Sequence, residues 1–136
     1  MVSYIENELK SDSIRTVENY IKHFNSYEID LAANEVLDFA IKINLYLNEN
    51  QPWILIKDKD NLCIVSYIIY NVLESTRIIG LLLMPILPDL SKKIDLQLGT
   101  LYTQDKSWNE QLNWGLLKND STLPTPTPII NKLEYE

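Results

Sequence analysis

Apolar side chains along this chain recur at spacings of three and four, and no stretch alternates cleanly at a spacing of two, so the pattern predicts helices throughout. Ser13 is placed as the N-cap of a helix over 13–25 that carries Ile14, Val17, Ile21 and Phe24 on one face. Ahead of it, Val2, Ile5 and Leu9 fit another helical turn or two. Asn25 to Glu28 reads as the start of a helix over 29–50, with Glu28 and Asp30 suited to its positive end. That helix is expected to bury Ala33, Leu37, Ala40 and Leu47, with Val36 and Ile43 widening the stripe. Its two alanines permit close approach of a neighbouring helix.

Leu62 to Leu83 forms the longest apolar run, long enough to span a bilayer, yet Asn71, Glu74 and Arg77 fall in its middle. Charges there cost about 2.5–3.5 kcal/mol each on insertion scales. Burial by neighbouring helices accounts for the same run without that cost, so it is read as the spine of a bundle. Glu74 and Arg77, three apart, can meet on one face as a structural ion pair. Pro85 ends the helix, and Pro88-Asp89 opens a short one in which Leu90, Ile94 and Leu98 share a face and Gly99 supplies a left-handed stop. Ser107 and Glu110 have capping-box spacing for a short helix displaying Trp108 and Leu112. From Asn119 onward, Pro124, Pro126 and Pro128 alternate with Thr, which predicts an extended tail. The expected fold is all-α: an antiparallel bundle of helices near 13–25, 29–50, 61–84 and 88–98, within a domain over 1–118, followed by a tail over 119–136. Leu37, Ala40, Leu47, Ile68, Val72 and Ile79 are its expected core.

Composition narrows the chemistry. Apolar residues make up 46% of the 136, too many for disorder, and only 3 glycines argue against a turn-rich β fold. The start, Met1-Val2-Ser3-Tyr4-Ile5-Glu6, lacks the basic-then-apolar pattern of a secretory signal, and the single cysteine suits a reducing compartment, so a cytoplasmic location is expected. Cys63 is expected to be a small core residue and His23 a boundary one. With His23 and Cys63 as the sole nitrogen and sulfur candidates, no zinc site is expected. The net charge of −7 opposes autonomous, tight binding to a polyanion. It leaves room for reading a few unpaired bases by stacking and hydrogen bonding.

The feature with most chemical content is Pro52-Trp53. Proline fixes its own φ and drives the residue before it towards extended geometry, so the helix over 29–50 ends beside an indole with a defined exit direction. Such a tryptophan either plugs the bundle end, its commoner use, or offers a platform to a flat ligand such as a base. Asn44 and Asn48 lie one turn apart nearby; their amides can read a base edge, or be ordinary residues near a helix terminus. Lys57 and Lys59 can contact phosphates, or belong to a solvated turn.

The ordered series N-L-Y-L-N-E-N-Q-P-W-I-L-I-K (44–57), Y-N-V-L-E-S-T-R-I-I-G-L-L-L-M-P-I-L-P-D-L-S-K-K-I (70–94), Q-L-G (97–99), Trp108, W-G-L-L (114–117) and P-T-P-T-P-I-I-N-K-L-E (124–134) resembles the anticodon-binding domain of methionyl-tRNA synthetases. The resemblance implies that the chain is the tRNA-reading portion of a methionine–tRNA ligase. Trp53 would stack on the cytosine of a CAU anticodon, with Pro52 shaping the contact and Asn44 and Asn48 beside it. It implies as partners the anticodon loop of the methionine tRNA and the parent catalytic domain, on which the tail would pack if not on the bundle, with no membrane and no DNA. The HIGH- and KMSKS-type signatures of the catalytic domain are missing, as is an earlier helix with Asn-Leu-x-x-Arg. No cofactor is therefore expected in this chain, ATP and magnesium belonging to the parent enzyme, and the chain is expected to be a C-terminal, non-catalytic piece. The alternative is a helical module that binds a protein through an uncovered apolar stripe. Lacking phosphate-binding elements, the purified chain is expected to show no ATP–pyrophosphate exchange with methionine. Exchange above background would contradict that reading.

Overall fold

The computed structural model describes the backbone of residues 2–99 and 106–117, and the side chains from residue 8 onward within those ranges. The described elements are all helical: α1 (Val2–Asn25), α2 (Ile29–Asn50), α3 (Pro52–Leu55), a 3₁₀ turn (Lys59–Asn61), α4 (Leu62–Leu83), α5 (Pro88–Leu98) and α6 (Trp108–Gln111). The predicted tail over 119–136 lies outside the described residues.

Two buried clusters give the helix directions. Towards one end, Leu9 of α1 meets Phe39, Ile43 and Tyr46 of α2 and Ile68 of α4. Towards the other, Tyr20 meets Ala32 and Val36 together with Ile78, Leu81 and Leu82. Late α2 thus lies beside early α1 and early α4, so α2 runs antiparallel to both. Helix α4 contacts every other described element and is the spine that its composition predicts. It is long and apolar enough to cross a membrane, but its middle turns bury Asn71, Glu74 and Arg77 against protein partners.

Two predicted helix faces are corrected. Ser13 does not cap: α1 runs through it from Val2, and its buried hydroxyl donates to the Lys10 carbonyl at 2.8 Å. The seam of α1 is Leu9, Ser13, Thr16 and Tyr20, all buried, which leaves Ile14 exposed. A serine here can bond its own helix, so its hydroxyl does not require a helix start. In α2 the buried seam is Ala32, Val36, Phe39, Ile43 and Tyr46, whereas Leu37 is 58% exposed. Ala33, Ala40 and Leu47 are half-buried. Val36 and Ile43 are buried as expected and the period holds, but the centre of the face is turned by one residue, about 100°. Two large rings decide it, because burying Phe39 and Tyr46 removes far more apolar area than burying alanines. Tyr46 is tied further by the Asn71 amide, which donates to its hydroxyl at 3.2 Å. Val72 and Ile79 are half-buried against the clusters, and Ile68 is buried.

The far end of α4 organises three other elements. Pro85 has no N–H, so the Leu81 carbonyl loses its i+4 donor and keeps only the Met84 amide at 3.3 Å. The Trp108 indole N–H donates to it at 2.7 Å. The Tyr20 hydroxyl donates to the next carbonyl, Leu82, at 2.6 Å, and the Ser91 hydroxyl to Gly80 at 2.6 Å. Burial pushes the Tyr20 phenol up to about 12, so it remains a donor at any ordinary pH. In α5, Ile94 and Leu98 are buried and Leu90 half-buried, and Gly99 ends the helix at φ 66°. The predicted capping box forms: Ser107 Oγ accepts from the Glu110 amide, and Glu110 Oε2 from the Ser107 amide, both at 3.2 Å.

The corrected phase of α2 has a direct test in denaturant unfolding. Phe39→Ala is expected to cost about 3–5 kcal/mol, and Leu37→Ala no more than about 0.5 kcal/mol. Comparable losses would restore the predicted face.

Candidate nucleic-acid interface

The residues around the Pro-Trp pair are held by one shared residue. Helix α2 ends at Asn50, and Gln51 adopts left-handed geometry, φ 46° and ψ 61°, in place of the extended geometry expected before a proline. Its amide donates to the Leu47 carbonyl at 2.9 Å, closing α2. Its carbonyl accepts from the Ile54 and Leu55 amides at 3.0 and 3.2 Å, opening α3. Pro52, the first residue of α3, needs no amide partner there and is buried. Leu55 packs against the cluster of Phe39, Ile43 and Ile68. With Pro52 and Leu55 facing inward, the single turn directs Trp53 and Ile54 outward. Trp53 is 52% exposed. It is not a plug in the bundle end.

The other candidates distribute unevenly around it. Asn44 and Asn48 are exposed on the last turns of α2. Asn50, by contrast, donates to the Tyr46 carbonyl at 2.8 Å and serves its own helix. Lys57 and Lys59 are exposed just beyond α3. Asp58 and Asp60 alternate with them, and the Asp58 carboxylate accepts the Asp60 amide at 3.0 Å as it caps the 3₁₀ turn. The turn therefore carries no net charge and no strong field for phosphate. Pro52, Trp53, Lys57 and Lys59 thus share one end of the bundle with the C-terminal turns of α2.

Glu74 and Arg77 are elsewhere, buried in the middle of α4. The guanidinium grips the carboxylate through two bonds, Nε to Oε2 at 2.9 Å and Nη2 to Oε1 at 2.6 Å. Glu74 also accepts the amides of Gly115, Leu116 and Leu117 at 2.8, 3.2 and 3.1 Å. Arg77 donates to the carbonyls of Gln111 and Asn113 at 2.6 and 2.9 Å. With every charged atom occupied by a structural partner, the pair has no group left for catalysis. Sequence reasoning found the two residues and missed their backbone partners. The available signal was Gly115, whose φ of 97° lets consecutive amides converge on one carboxylate.

Two further residues depart from, or refine, expectation. Cys63 is exposed, not core, because in the first turn of α4 it is Val65 and Ile64 that turn inward. His23 is half-buried, with Nδ1 3.5 Å from Glu28 and Nε2 4.0 Å from Glu35. Leu37, Ile41 and Leu45, one turn apart in succession, leave an apolar line exposed along α2. Among the described residues, no group of His, Cys, Asp and Glu is arranged to hold a metal ion.

This geometry has recognisable relatives. A family model described as the anticodon binding domain of methionyl tRNA ligase matches residues 2–136. The methionine–tRNA ligase of Thermotoga maritima is 30% identical over 127 residues, covering 93% of this chain and 20% of that protein. That of Bacillus subtilis is 30% identical over 135 residues, covering 99% and 20%. The chain spans about a fifth of the length of these curated relatives. The fold of Mycobacterium tuberculosis methionyl-tRNA synthetase in its free state matches with a TM-score of 0.86 at 23% identity, over 97% of this chain and 26% of that one. The same synthetase bound by methionyl-adenylate matches at 0.82 and 24% identity, over 92% and 25%.

Removing one partner of the α4 pair should strand a buried charge. Glu74→Gln is expected to destabilise the chain by about 3–5 kcal/mol in urea unfolding. A loss below about 1 kcal/mol would contradict the buried network.

Proposed function

This chain belongs to the anticodon-binding domain family of the methionyl-tRNA ligases, and we propose that it reads the CAU anticodon of the methionine tRNA on behalf of a catalytic domain beyond this chain. The observation that carries the reading is Trp53, held half-exposed at the bundle end while the proline before it is buried. An indole presented this way offers part of its π surface at little entropic cost, since Pro52 and the Gln51 bonds already fix the backbone. The wobble cytosine stacks on it. Stacking tolerates any base, so discrimination falls to hydrogen bonds on the base edge, a role we assign to the exposed amides of Asn44 and Asn48. Lys57 and Lys59 contact the flanking phosphates, with a contribution kept small by Asp58 and Asp60.

The charge of −7 fits a division of labour. This domain supplies reading, and the catalytic portion supplies most of the grip on the tRNA backbone, along with ATP, magnesium and the methionine site. Isolated, the chain binds anticodon RNA weakly, and it acts in the cytoplasm as part of the ligase. One observation favours a second reading: the exposed line of Leu37, Ile41 and Leu45 suits a module that docks on protein.

In a full-length methionine–tRNA ligase carrying this domain, Trp53→Ala is expected to weaken recognition of a CAU anticodon by about 1–3 kcal/mol. The loss should be much smaller for a tRNA whose wobble base is already wrong. Intact CAU discrimination, with a melting temperature lowered by several degrees, would make Trp53 a structural residue only.

A further inference from the structure

A single helical turn has no stability of its own, so the aim of Trp53 depends on what ties α3 down at each side. On its N-terminal side the Gln51 peptide and the buried Pro52 do this. On its C-terminal side the ties are the amides of Ile56, Lys57 and Asp58, which donate to the Pro52, Ile54 and Leu55 carbonyls at 3.0, 3.2 and 3.2 Å, and one side chain. Asn61 Nδ2 donates to the Leu55 carbonyl at 3.2 Å across six residues.

Asn61 is anomalous in another way. It closes the 3₁₀ turn at the N-cap position of α4, where the Leu62 amide already bonds the Lys59 carbonyl and where asparagine ordinarily turns its side-chain oxygen onto the next free amides. Here it makes no such cap bond. Its amide reaches back to α3 instead, so the start of the spine helix is fastened to the end of the turn that carries Trp53. Leu55, the residue whose carbonyl it holds, is also the one whose side chain enters the core. Fixing that carbonyl fixes the rotation of the turn about its own axis, and that rotation sets the direction of the indole two residues earlier.

We propose that Asn61 is a positioning residue for the anticodon site, its side-chain amide locking α3 so that Trp53 is presented in one orientation. The proposal rests on the reading of Trp53 as the base platform, but its structural half stands apart from it. The test is 15N relaxation of the tryptophan indoles in the whole 136-residue chain, comparing the unaltered protein with Asn61→Ala and Asn61→Asp. Aspartate keeps the shape and lacks the N–H donor. In both variants the heteronuclear NOE of the Trp53 indole should fall. The Trp108 indole, held on the Leu81 carbonyl, should keep its value. An unchanged Trp53 indole in Asn61→Ala, or one restored in Asn61→Asp, overturns the proposal. Loosening of Trp53 and Trp108 alike also overturns it, because Asn61 would then support the fold in general. A selective loss of order at Trp53 supports it even if Trp53→Ala leaves anticodon reading intact, an outcome that would count against the functional reading alone. In the full-length ligase, both Asn61 variants should lower CAU affinity by about threefold to tenfold, the worth of one hydrogen bond.

Discussion

The buried carboxylate of Glu74 and the guanidinium of Arg77 fix the backbone of a stretch whose Leu112, Trp114 and Leu117 side chains pack on the core. Each is almost fully removed from water, at 0% and 5% side-chain exposure, and burying such ions costs several kcal/mol apiece. The cost is offset because no charged atom is left without a partner. The carboxylate meets the guanidinium and three consecutive backbone amides, and the guanidinium meets two backbone carbonyls. Those backbone groups belong to residues 111–117, a stretch containing only the last residue of α6 and no helix beyond it. Its polar atoms would be unsatisfied against an apolar spine without this pair. The Tyr70 hydroxyl continues the arrangement by donating to the Leu117 carbonyl at 3.1 Å.

The same logic recurs wherever a helix stops inside the bundle. Pro85 ends α4 and leaves the Leu81 carbonyl only the Met84 amide, and a tryptophan from α6 supplies a second, shorter bond while a tyrosine from α1 and a serine from α5 bond its neighbours. Gln51 closes one helix with its amide and opens the next with its carbonyl. Asn61 neglects its own helix to hold the turn before it. Apolar packing brings the elements together, and these bonds give each of them one orientation. That matters most at α3, where a short turn must present one ring in a defined direction.

Periodicity made the helices legible, and the punctuation at Pro52, Pro85, Pro88 and Gly99 made their ends legible, because these residues act through local geometry. Phase was less legible. Helix α2 carries apolar residues nearly all round, so Leu37 and Phe39 looked equally suited to the core until neighbouring helices chose between them. Ser13 looked like a cap for a similar reason: a hydroxyl that bonds backward along its own helix leaves no different trace in the sequence. Cys63 looked like core because its neighbours are apolar, while only the rotation of the first turn of α4 decides which of them faces in. At the candidate site, Pro52 and Trp53 stood out from the pattern, and the exposure of the ring followed from the burial of the proline. Asn61 did not stand out, since its role depends on where it bonds and not on what it is.

The functional account comes down to whether a base meets the Trp53 ring. Titrating the 15N-labelled chain with an RNA hairpin bearing a CAU loop, and following the three indole N–H signals, tests this most directly. The account predicts that the Trp53 signal moves progressively while those of Trp108 and Trp114 stay in place, and that a hairpin with a changed wobble base moves it less. A Trp53 signal that stays fixed while the backbone signals of Leu37, Ile41 and Leu45 shift, or one that responds equally to both loops, would contradict it.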